Sequence, residues 1–188
     1  MLVPVKAFAE AKLRLAPALT EIERAALARR MASRVVAAAS PLPVAVVCDD
    51  VDVRIWADSV GARVVWRPGR GLNRAVQDGV AALAADGFER VVIAHGDLPL
   101  ATTLAWVADG DGVTLVPDRH DDGTNVACVP AAAGFRFAYG SGSFARHRSE
   151  ADRLDLTLRV VRDPALGWDV DVPGDLGFDQ DIFGAPCQ

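Results

Sequence analysis

Three aspartates at two places in the chain have the chemistry of a metal site. Asp97 follows Gly96 directly after an apolar run, while Asp169 and Asp171 form an Asp-x-Asp pair. In an extended segment, residues two apart project to the same side, so this pair presents two carboxylates together. Magnesium in proteins takes one or two carboxylates plus substrate phosphates. The three residues therefore predict a divalent-metal site, and the simpler alternatives are an Asp turn cap and a solvated turn.

Two cations near the N-terminus have the chemistry of a polyphosphate site. Both lysines of the chain, Lys6 and Lys12, lie within the first 12 residues, and Arg14 follows closely. A lysine offers a movable point charge, and an arginine offers a bidentate fork. Lys12 and Arg14 are therefore predicted to bind phosphate in a loop that follows the first strand. A solvated basic loop is the alternative, and the segment is not a Walker motif.

A glycine-containing loop precedes a predicted helix further along the chain. Gly69, Gly71 and Asn73 fall in the segment Arg-Pro-Gly-Arg-Gly-Leu-Asn. Glycines let the backbone approach a base or a phosphate closely, and the N-terminus of a helix favours an anion. We therefore predict contacts with a nucleotide here. The alternative is an ordinary helix start that Asn73 caps, because the complete dinucleotide-binding fingerprint is absent.

Two later segments, residues 117–125 and 139–144, are rich in small hydrogen-bond donors. The second runs directly into a predicted helix. Its backbone amides and serine hydroxyls are therefore suited to hold a phosphate or a carboxylate at the helix N-terminus. Ordinary turns are the alternative for both segments.

The histidines and cysteines do not indicate a site of another kind. His95, His120 and His147 have neither zinc spacing nor an evident nucleophile partner, and the G-x-S-x-G elbow of hydrolases is absent. The cysteines are odd in number and lack C-x-x-C spacing, which predicts buried thiols in a reducing cytoplasm. These cysteines are Cys48, Cys128 and Cys187.

Composition and length restrict the class of protein. The 188 residues include 51% hydrophobic and 24% charged residues, which argues against wholesale disorder and predicts one domain over residues 1–188. No apolar run approaches the roughly 18 residues of a membrane span, and no signal peptide is recognisable, so we expect a cytoplasmic protein without membrane association. The net charge of −5 argues against a general nucleic-acid binder.

Short apolar runs alternate with helical stretches along the chain. Predicted strands cover residues 2–6, 43–48, 62–66, 90–94, 113–116, 126–129 and 156–161, and predicted helices cover 20–39, 53–60, 72–85 and 143–153. The first four strands predict a parallel sheet covered on both faces, and the later strands predict a mixed-sheet excursion. The expected fold is therefore a three-layer α/β/α domain, in which ligands bind beyond the carboxyl ends of the strands.

Taken in order, the polar segments resemble one family, the guanylyltransferases of deazaflavin-coenzyme (coenzyme F-420) biosynthesis, called CofC in archaea and FbiD in actinobacteria. The resemblance runs from about residue 1 to residue 180. It rests on Val-Pro-Val-Lys (3–6), Ala-Lys-Leu-Arg-Leu (11–15), Gly-Leu-Asn (71–73), Gly-Asp-Leu-Pro (96–99), Pro-Asp-Arg (117–119), Gly-Thr-Asn (123–125), Gly-Ser-Phe (142–144) with His147, and Asp-Val-Asp-Val-Pro (169–173).

This resemblance implies a Rossmann-like fold similar to the MobA-like nucleotidyltransferases and a role for each motif. The family's phospho-acid contacts fall on Thr124, Gly140 and Ser143. Its metal carboxylates fall on Asp97, Asp169 and Asp171. Lys12 and Arg14 fall in the GTP-phosphate loop, and the segment from Gly69 through Gly71 to Asn73 falls near the nucleoside.

One departure concerns Asp121 and Asp122, which precede Gly123 where the family often has a second glycine. Aspartate tolerates the left-handed backbone region, so the turn is expected to survive. The added negative charge near an anionic substrate has no explanation from the sequence.

The implied reaction joins GMP from GTP to a phosphorylated three-carbon acid and releases pyrophosphate, with magnesium, expected as two ions, as cofactor. The acid is phosphoenolpyruvate in the actinobacterial branch and 2-phospho-L-lactate in the archaeal branch. The Arg- and Ala-rich composition is typical of actinobacterial proteins, so within this resemblance phosphoenolpyruvate is favoured. A phosphate oxygen is already anionic at neutral pH, so no general base is required, and catalysis is mainly positioning and charge neutralisation.

Two other functions are compatible with these residues. Another MobA-like nucleotidyltransferase, acting on a sugar phosphate or the molybdenum cofactor, has similar requirements. A nucleotide-binding module without catalysis is the alternative from a different class. For the assembly, a homodimer is one alternative, and no interface stripe stands out in the sequence.

Overall fold

Short, valine-rich apolar runs form the strands of this protein. The computed structural model describes residues 1–177, and within that range it has seven strands in one sheet. In chain order these are β1 (Leu2–Pro4), β2 (Ala45–Cys48), β3 (Arg63–Trp66), β4 (Arg90–Ala94), β5 (Val113–Pro117), β6 (Thr124–Pro130) and β7 (Leu158–Val160). All seven predicted strands are confirmed, although β1 and β7 are shorter than expected.

Four α-helices connect these strands within the described residues: α1 (Glu21–Ala38), α2 (Val51–Ser59), α3 (Gly71–Ala85) and α4 (Ser143–Arg153). The capping box predicted at the start of α1 is present, because Thr20 accepts from the Glu23 amide and the Glu23 carboxylate accepts from the Thr20 amide. The alternative in which Asn73 caps α3 is wrong. The helix begins at Gly71, two residues earlier, and its first turn has no side-chain cap.

The strand order β3-β2-β1-β4-β6-β5-β7 makes the sheet mixed. Strands β3, β2, β1 and β4 are mutually parallel. Strand β6 is antiparallel to both of its neighbours, and β7 is parallel to β5. The predicted mostly parallel sheet with a mixed excursion is confirmed.

Both faces of the sheet are covered, as buried strands require. Leu2 packs with α3 and α4 residues on one face, and the next residue, Val3, packs with α1 and α2 residues on the other. Alternation along β2 gives the same result, since Val46 and Val47 belong to opposite faces. The three-layer α/β/α architecture is therefore confirmed.

The chain reverses its direction of progress across the sheet between β1 and β4. After β1 it continues outward to β2 and β3, and it returns to the opposite side of β1 at β4. The loops that follow β1 and β4 diverge at this switch point and leave a crevice beyond the strand ends, which is the usual ligand position in such sheets. Within the described chain, no helix combines the length and apolarity needed to cross a bilayer.

Candidate active site

A cavity of about 360 Å³ lies at the switch point. The loop after β1 contributes Lys12 and Arg14, and the segment after β4 contributes His95 and Asp97. Asp171, from an irregular segment near the end of the described chain, completes one wall. The structure therefore brings together four residues that the sequence predicts for phosphate and metal binding.

Lys12 lies between two of the predicted metal carboxylates. Its Nζ atom is 2.5 Å from Asp97 Oδ2 and 2.9 Å from Asp171 Oδ1. Two short 3₁₀ turns, Phe8–Glu10 and Leu13–Leu15, shape the loop, and Lys12 between them has φ 55°, in the left-handed region. Arg14 is exposed, with its guanidinium 3.9 Å from Asp171. Both cations thus lie at the acidic cluster.

Charge compensation determines the protonation states of Lys12 and Asp97. Burial alone would lower the pKa of Lys12, but Asp97 and Asp171 outweigh it and raise that pKa above its ordinary value. Burial alone would likewise raise the pKa of Asp97, but the Lys12 ammonium holds it below the usual range. Lys12 is therefore charged and Asp97 ionised at neutral pH.

Asp169 lies beside this pair in a different environment. Its Oδ1 atom is 3.4 Å from the Asn125 amide nitrogen and 3.8 Å from the Arg119 guanidinium. Burial, together with the negative charges of Asp97 and Asp171, raises the pKa of Asp169. The three predicted carboxylates thus interact electrostatically, and bringing another cation to them relieves their repulsion.

Arg119 and Asp175 hold the segment that carries Asp169 and Asp171. Arg119 donates to the Asp169 carbonyl oxygen at 3.0 Å, pairs with Asp175, and stacks over the Trp168 ring at 4.5 Å. The Asp175 carboxylate also accepts from the Asp171 backbone amide at 2.7 Å. This segment is neither helix nor strand, so these contacts replace a strand ladder in positioning the carboxylates.

The donor set suits a hard cation such as magnesium. Asp97 Oδ1 is buried and, among the described residues, has no hydrogen-bond partner, so it retains coordinating capacity. Over residues 1–177, however, no three His, Cys, Asp or Glu side chains form a ready metal-holding group. The Lys12 ammonium lies between two of the carboxylates instead. Two carboxylates plus substrate phosphates satisfy magnesium, so the residues fit the ion once Lys12 moves toward phosphate.

The glycine-containing loop lies at the start of α3. Gly69 and Gly71 have φ values of 68° and 64°, which favour glycine, and open space surrounds the position of a side chain at each. Asn73 has a structural contact: its Oδ1 accepts from the Tyr139 amide at 2.6 Å. Asn73 therefore fastens α3 to the segment before α4, and its predicted nucleotide contact stays a prediction.

The three predicted phospho-acid residues meet at the N-terminus of α4. The Thr124 amide donates to Ser143 Oγ at 3.1 Å, and the Ser143 amide donates to the Gly140 carbonyl at 2.9 Å. Gly140 has φ 111°, a conformation that side chains rarely adopt. Thr124 begins β6, so the end of this interior strand and the start of the helix are joined directly at this point.

Asp121 and Asp122 have defined partners. Asp121 has φ 57°, as the predicted left-handed turn requires, and its carboxylate pairs with Arg162 at 2.9 Å. Asp122 Oδ1 accepts from the Gly142 amide at 2.9 Å, and its carbonyl accepts from the Phe144 amide at 3.0 Å. The charge of Asp121 is therefore neutralised by Arg162. The carboxylate of Asp122 joins the β5–β6 turn to the start of α4.

Several residues with contacts at these sites were not predicted. His147 contacts Thr124, and Asn125 and Arg119 contact Asp169. The available signal was position, because Arg119 and Asn125 lie within the segment rich in small donors and His147 follows Ser143 by one helical turn. The thiols of Cys48 and Cys128 are buried as predicted, while Cys187 lies outside the described residues.

Comparison of sequences places the chain among known enzymes. A family model described as "Guanylyl transferase CofC like" matches residues 1–182. A phosphoenolpyruvate guanylyltransferase of Sphaerobacter thermophilus is 35% identical over 183 residues, covering 93% of this chain and 88% of that protein. One of Streptomyces coelicolor is 37% identical, covering 94% and 87%. A 2-phospho-L-lactate guanylyltransferase of Methanothermobacter thermautotrophicus is 33% identical, covering 94% and 81%.

Solved structures share the fold at low identity. A putative nucleotide-diphospho-sugar transferase from Desulfovibrio desulfuricans has a TM-score of 0.73 at 17% identity, covering 93% of this chain and 83% of that chain. A nucleotidyl transferase from Methanothermobacter has a TM-score of 0.63 at 16% identity, covering 97% and 98%. These likenesses confirm the nucleotidyltransferase fold. Together with the match over residues 1–182, the relatives above 30% identity show that the chain belongs to the CofC-like guanylyltransferase family.

Proposed function

We propose that this protein transfers GMP from GTP to the phosphate of a phosphorylated three-carbon acid and releases pyrophosphate, as in coenzyme F-420 biosynthesis. The observation that carries the proposal is the contact of Lys12 with Asp97 and Asp171 in a cavity at the switch point. This cluster holds cationic and hard-oxygen groups at the place where the fold binds nucleotides. Family membership supplies the reaction class.

The chain's own residues act by positioning and charge. The attacking phosphate oxygen is already anionic at neutral pH, so no side chain needs to remove a proton. Lys12 and Arg14 supply positive charge for the triphosphate, which brings two polyanions to one crevice. Asp97, Asp169 and Asp171 would hold magnesium, expected as two ions. When bound, magnesium supplies the positive charge that stabilises the phosphates during displacement.

Phosphoenolpyruvate is the favoured acceptor. The bacterial relatives above are named for it, and the archaeal relative is named for 2-phospho-L-lactate. Thr124 and Ser143 lie at a helix N-terminus, and their hydroxyls suit the anionic groups of either acid. The proposal therefore names phosphoenolpyruvate first and 2-phospho-L-lactate second.

The test is pyrophosphate release by purified protein with GTP, magnesium and phosphoenolpyruvate together. We expect release only when all three are present, with ATP and CTP as control nucleotides and a sugar 1-phosphate as control acceptor. Separate reactions replace phosphoenolpyruvate with 2-phospho-L-lactate or 3-phosphoglycerate. Protein that binds GTP but releases no pyrophosphate with any of these acids would contradict the proposal.

A further inference from the structure

His147, on α4, is fully buried and uses both ring nitrogens. The Ala138 backbone amide donates to Nε2 at 2.9 Å, and Nδ1 lies 3.0 Å from Thr124 Oγ1. A backbone N–H can only donate, so Nε2 must carry the lone pair. In a neutral imidazole the proton is then on Nδ1. His147 therefore donates to the Thr124 hydroxyl oxygen.

The ring is neutral and its plane is fixed. Burial, and after it the nearby Arg146 and His95, lower the pKa of His147 to about 4. Phe135, Phe137 and Tyr139 pack around the imidazole with centroid distances of 5.8, 6.1 and 4.9 Å. Because the ring cannot rotate freely in this packing, the direction of its Nδ1–H bond is constant.

This donor determines what the Thr124 hydroxyl can do. With its oxygen accepting from His147, the hydroxyl hydrogen must point to another acceptor. Ser143 Oγ accepts from the Thr124 amide, so the Ser143 hydroxyl hydrogen is directed elsewhere in the same way. Among the described residues, neither hydroxyl donates to a protein acceptor. Both residues are buried, so two buried hydroxyls are left as donors without a protein acceptor, which suits an anion bound at this point.

We infer that His147 is a positioning residue for the acceptor substrate, because it directs the Thr124 hydroxyl toward an anionic oxygen of the phospho-acid. The inference rests on the proposed function, in which Thr124 and Ser143 bind that acid. His147 itself does not touch the substrate. It acts through Thr124, and its neutral Nδ1–H form prevents Thr124 from donating to the ring.

Two substitutions separate the two ring contacts. His147→Asn places its amide nitrogen near the position of Nδ1 and retains a donor for Thr124, whereas His147→Gln reaches the position of Nε2 and loses that donor. We expect His147→Gln to lower kcat/KM for phosphoenolpyruvate about tenfold, as for one hydrogen bond to a charged group. GTP binding, measured separately, stays unchanged. His147→Asn is expected to restore most of the lost kcat/KM.

A double-mutant cycle with Thr124→Val tests whether His147 acts through that hydroxyl. Once the hydroxyl is removed, His147→Gln is expected to cause no further loss, so the double variant matches Thr124→Val. A purely structural role for His147 would make the two losses multiply. Multiplying losses, or a His147→Gln variant with wild-type kcat/KM for the acid, would overturn the inference.

The tautomer can be read in the wild-type protein, whether or not the variants fold. Two-bond ¹H–¹⁵N correlation spectra of the imidazole are expected to show a proton on Nδ1 and none on Nε2 at neutral pH. A proton on Nε2 would overturn the inference. Wild-type protein inactive on every phospho-acid would contradict the proposed function and this inference together. Active wild-type protein with an insensitive His147→Gln variant would contradict this inference alone.

Discussion

The ammonium group of Lys12 joins Asp97 to Asp171, at 2.5 and 2.9 Å, across 85 and 159 residues of sequence. One cation thus compensates two carboxylates that are predicted magnesium ligands. Lys12 adopts φ 55° at this position, a conformation that non-glycine residues rarely occupy and that surrounding contacts must stabilise. Because the Lys12 ammonium contacts both carboxylates, we expect it to compete with a divalent cation for Asp97 and Asp171.

Removal of the Lys12 charge is expected to strengthen metal binding while weakening catalysis. In Lys12→Met, Asp97 and Asp171 lose their counter-charge, so a divalent ion binds them more tightly without nucleotide. Titration with Mn²⁺ and the rise in melting temperature that it causes measure this effect. Turnover is expected to fall by about 100-fold, because the positive charge that Lys12 would place beside the phosphates is lost.

Lys6→Met is the matched control for that experiment. Lys6 also lines the cavity, but its exposed ammonium forms no ion pair with the described carboxylates. The same charge change there should leave Mn²⁺ affinity close to wild type. Equal Mn²⁺ affinity in Lys12→Met and wild-type protein would contradict competition between the ammonium and the metal.

Asp97→Asn is expected to abolish most turnover while the fold remains. The amide keeps the size of the side chain and can still accept from Lys12, but it is a poorer ligand for magnesium. We expect kcat to fall at least about 100-fold, with the circular dichroism spectrum retained. Asp109→Asn makes the same chemical change at an exposed position and should be fully active. Wild-type turnover in Asp97→Asn would contradict a role for this carboxylate in binding the metal.

Asp122→Ala is expected to loosen the phospho-acid site. The variant loses the acceptor for the Gly142 amide, which costs about 1 kcal/mol of stability and leaves the backbone bond from Phe144 to residue 122 to join the start of α4 to the β5–β6 turn. Steady-state kinetics should then show a KM for the acid that rises several-fold and a KM for GTP that changes little. Asp121→Asn, which keeps the left-handed turn but weakens an exposed ion pair, should resemble wild type. Identical acid KM values in the two variants would argue against this connection.

His147 predicts an acid dependence of stability. Its pKa falls from 6.5 to about 4 on folding, so the unfolded chain binds more protons between these values. The contribution of His147 to the free energy of unfolding should therefore be complete above pH 6.5. It should decrease as the pH falls toward 4. At about 1.4 kcal/mol per pKa unit, this group accounts for roughly 3 kcal/mol over that window.

Urea unfolding of wild-type and His147→Asn protein from pH 7 to pH 4 measures this contribution. Arg146, Glu150 and His95, which act on the imidazole electrostatically, are retained in both proteins, so the difference reports His147. The variant should show the flatter profile. His120→Asn, at an exposed turn position, should follow the wild-type curve. Parallel curves for wild type and His147→Asn would contradict a buried neutral ring.

The elements of the fold were predictable because local signals specify them. Valine-rich runs and the Thr20–Glu23 capping box are contained within a few residues of sequence. The position of β6 between β4 and β5 was not predictable in the same way. Its apolar pattern is compatible with several partners and with either direction, and the choice depends on long-range packing.

In the candidate site, too, some features follow from local sequence and others depend on contacts between distant segments. Each polar loop was predicted from its place after a strand, since parallel strands bring their carboxyl ends to one edge. The Lys12 contacts and the tautomer of His147 depend on side chains from distant segments, whose spacing in the sequence has no regular pattern. The bond that Asn73 Oδ1 accepts from the Tyr139 amide likewise joins distant segments and could not be predicted from local sequence, while the predicted nucleotide contact of Asn73 stays a prediction.

The proposed reaction is the transfer of GMP to a phosphorylated three-carbon acid. The most direct measurement is mass spectrometry of the product formed from GTP, magnesium and equal amounts of phosphoenolpyruvate, 2-phospho-L-lactate and 3-phosphoglycerate. We expect a product with the mass of GMP joined to an intact phospho-acid, mainly phosphoenolpyruvate, together with pyrophosphate. GTP recovered unchanged with all three acids, or GMP released without any joined acid, would contradict it.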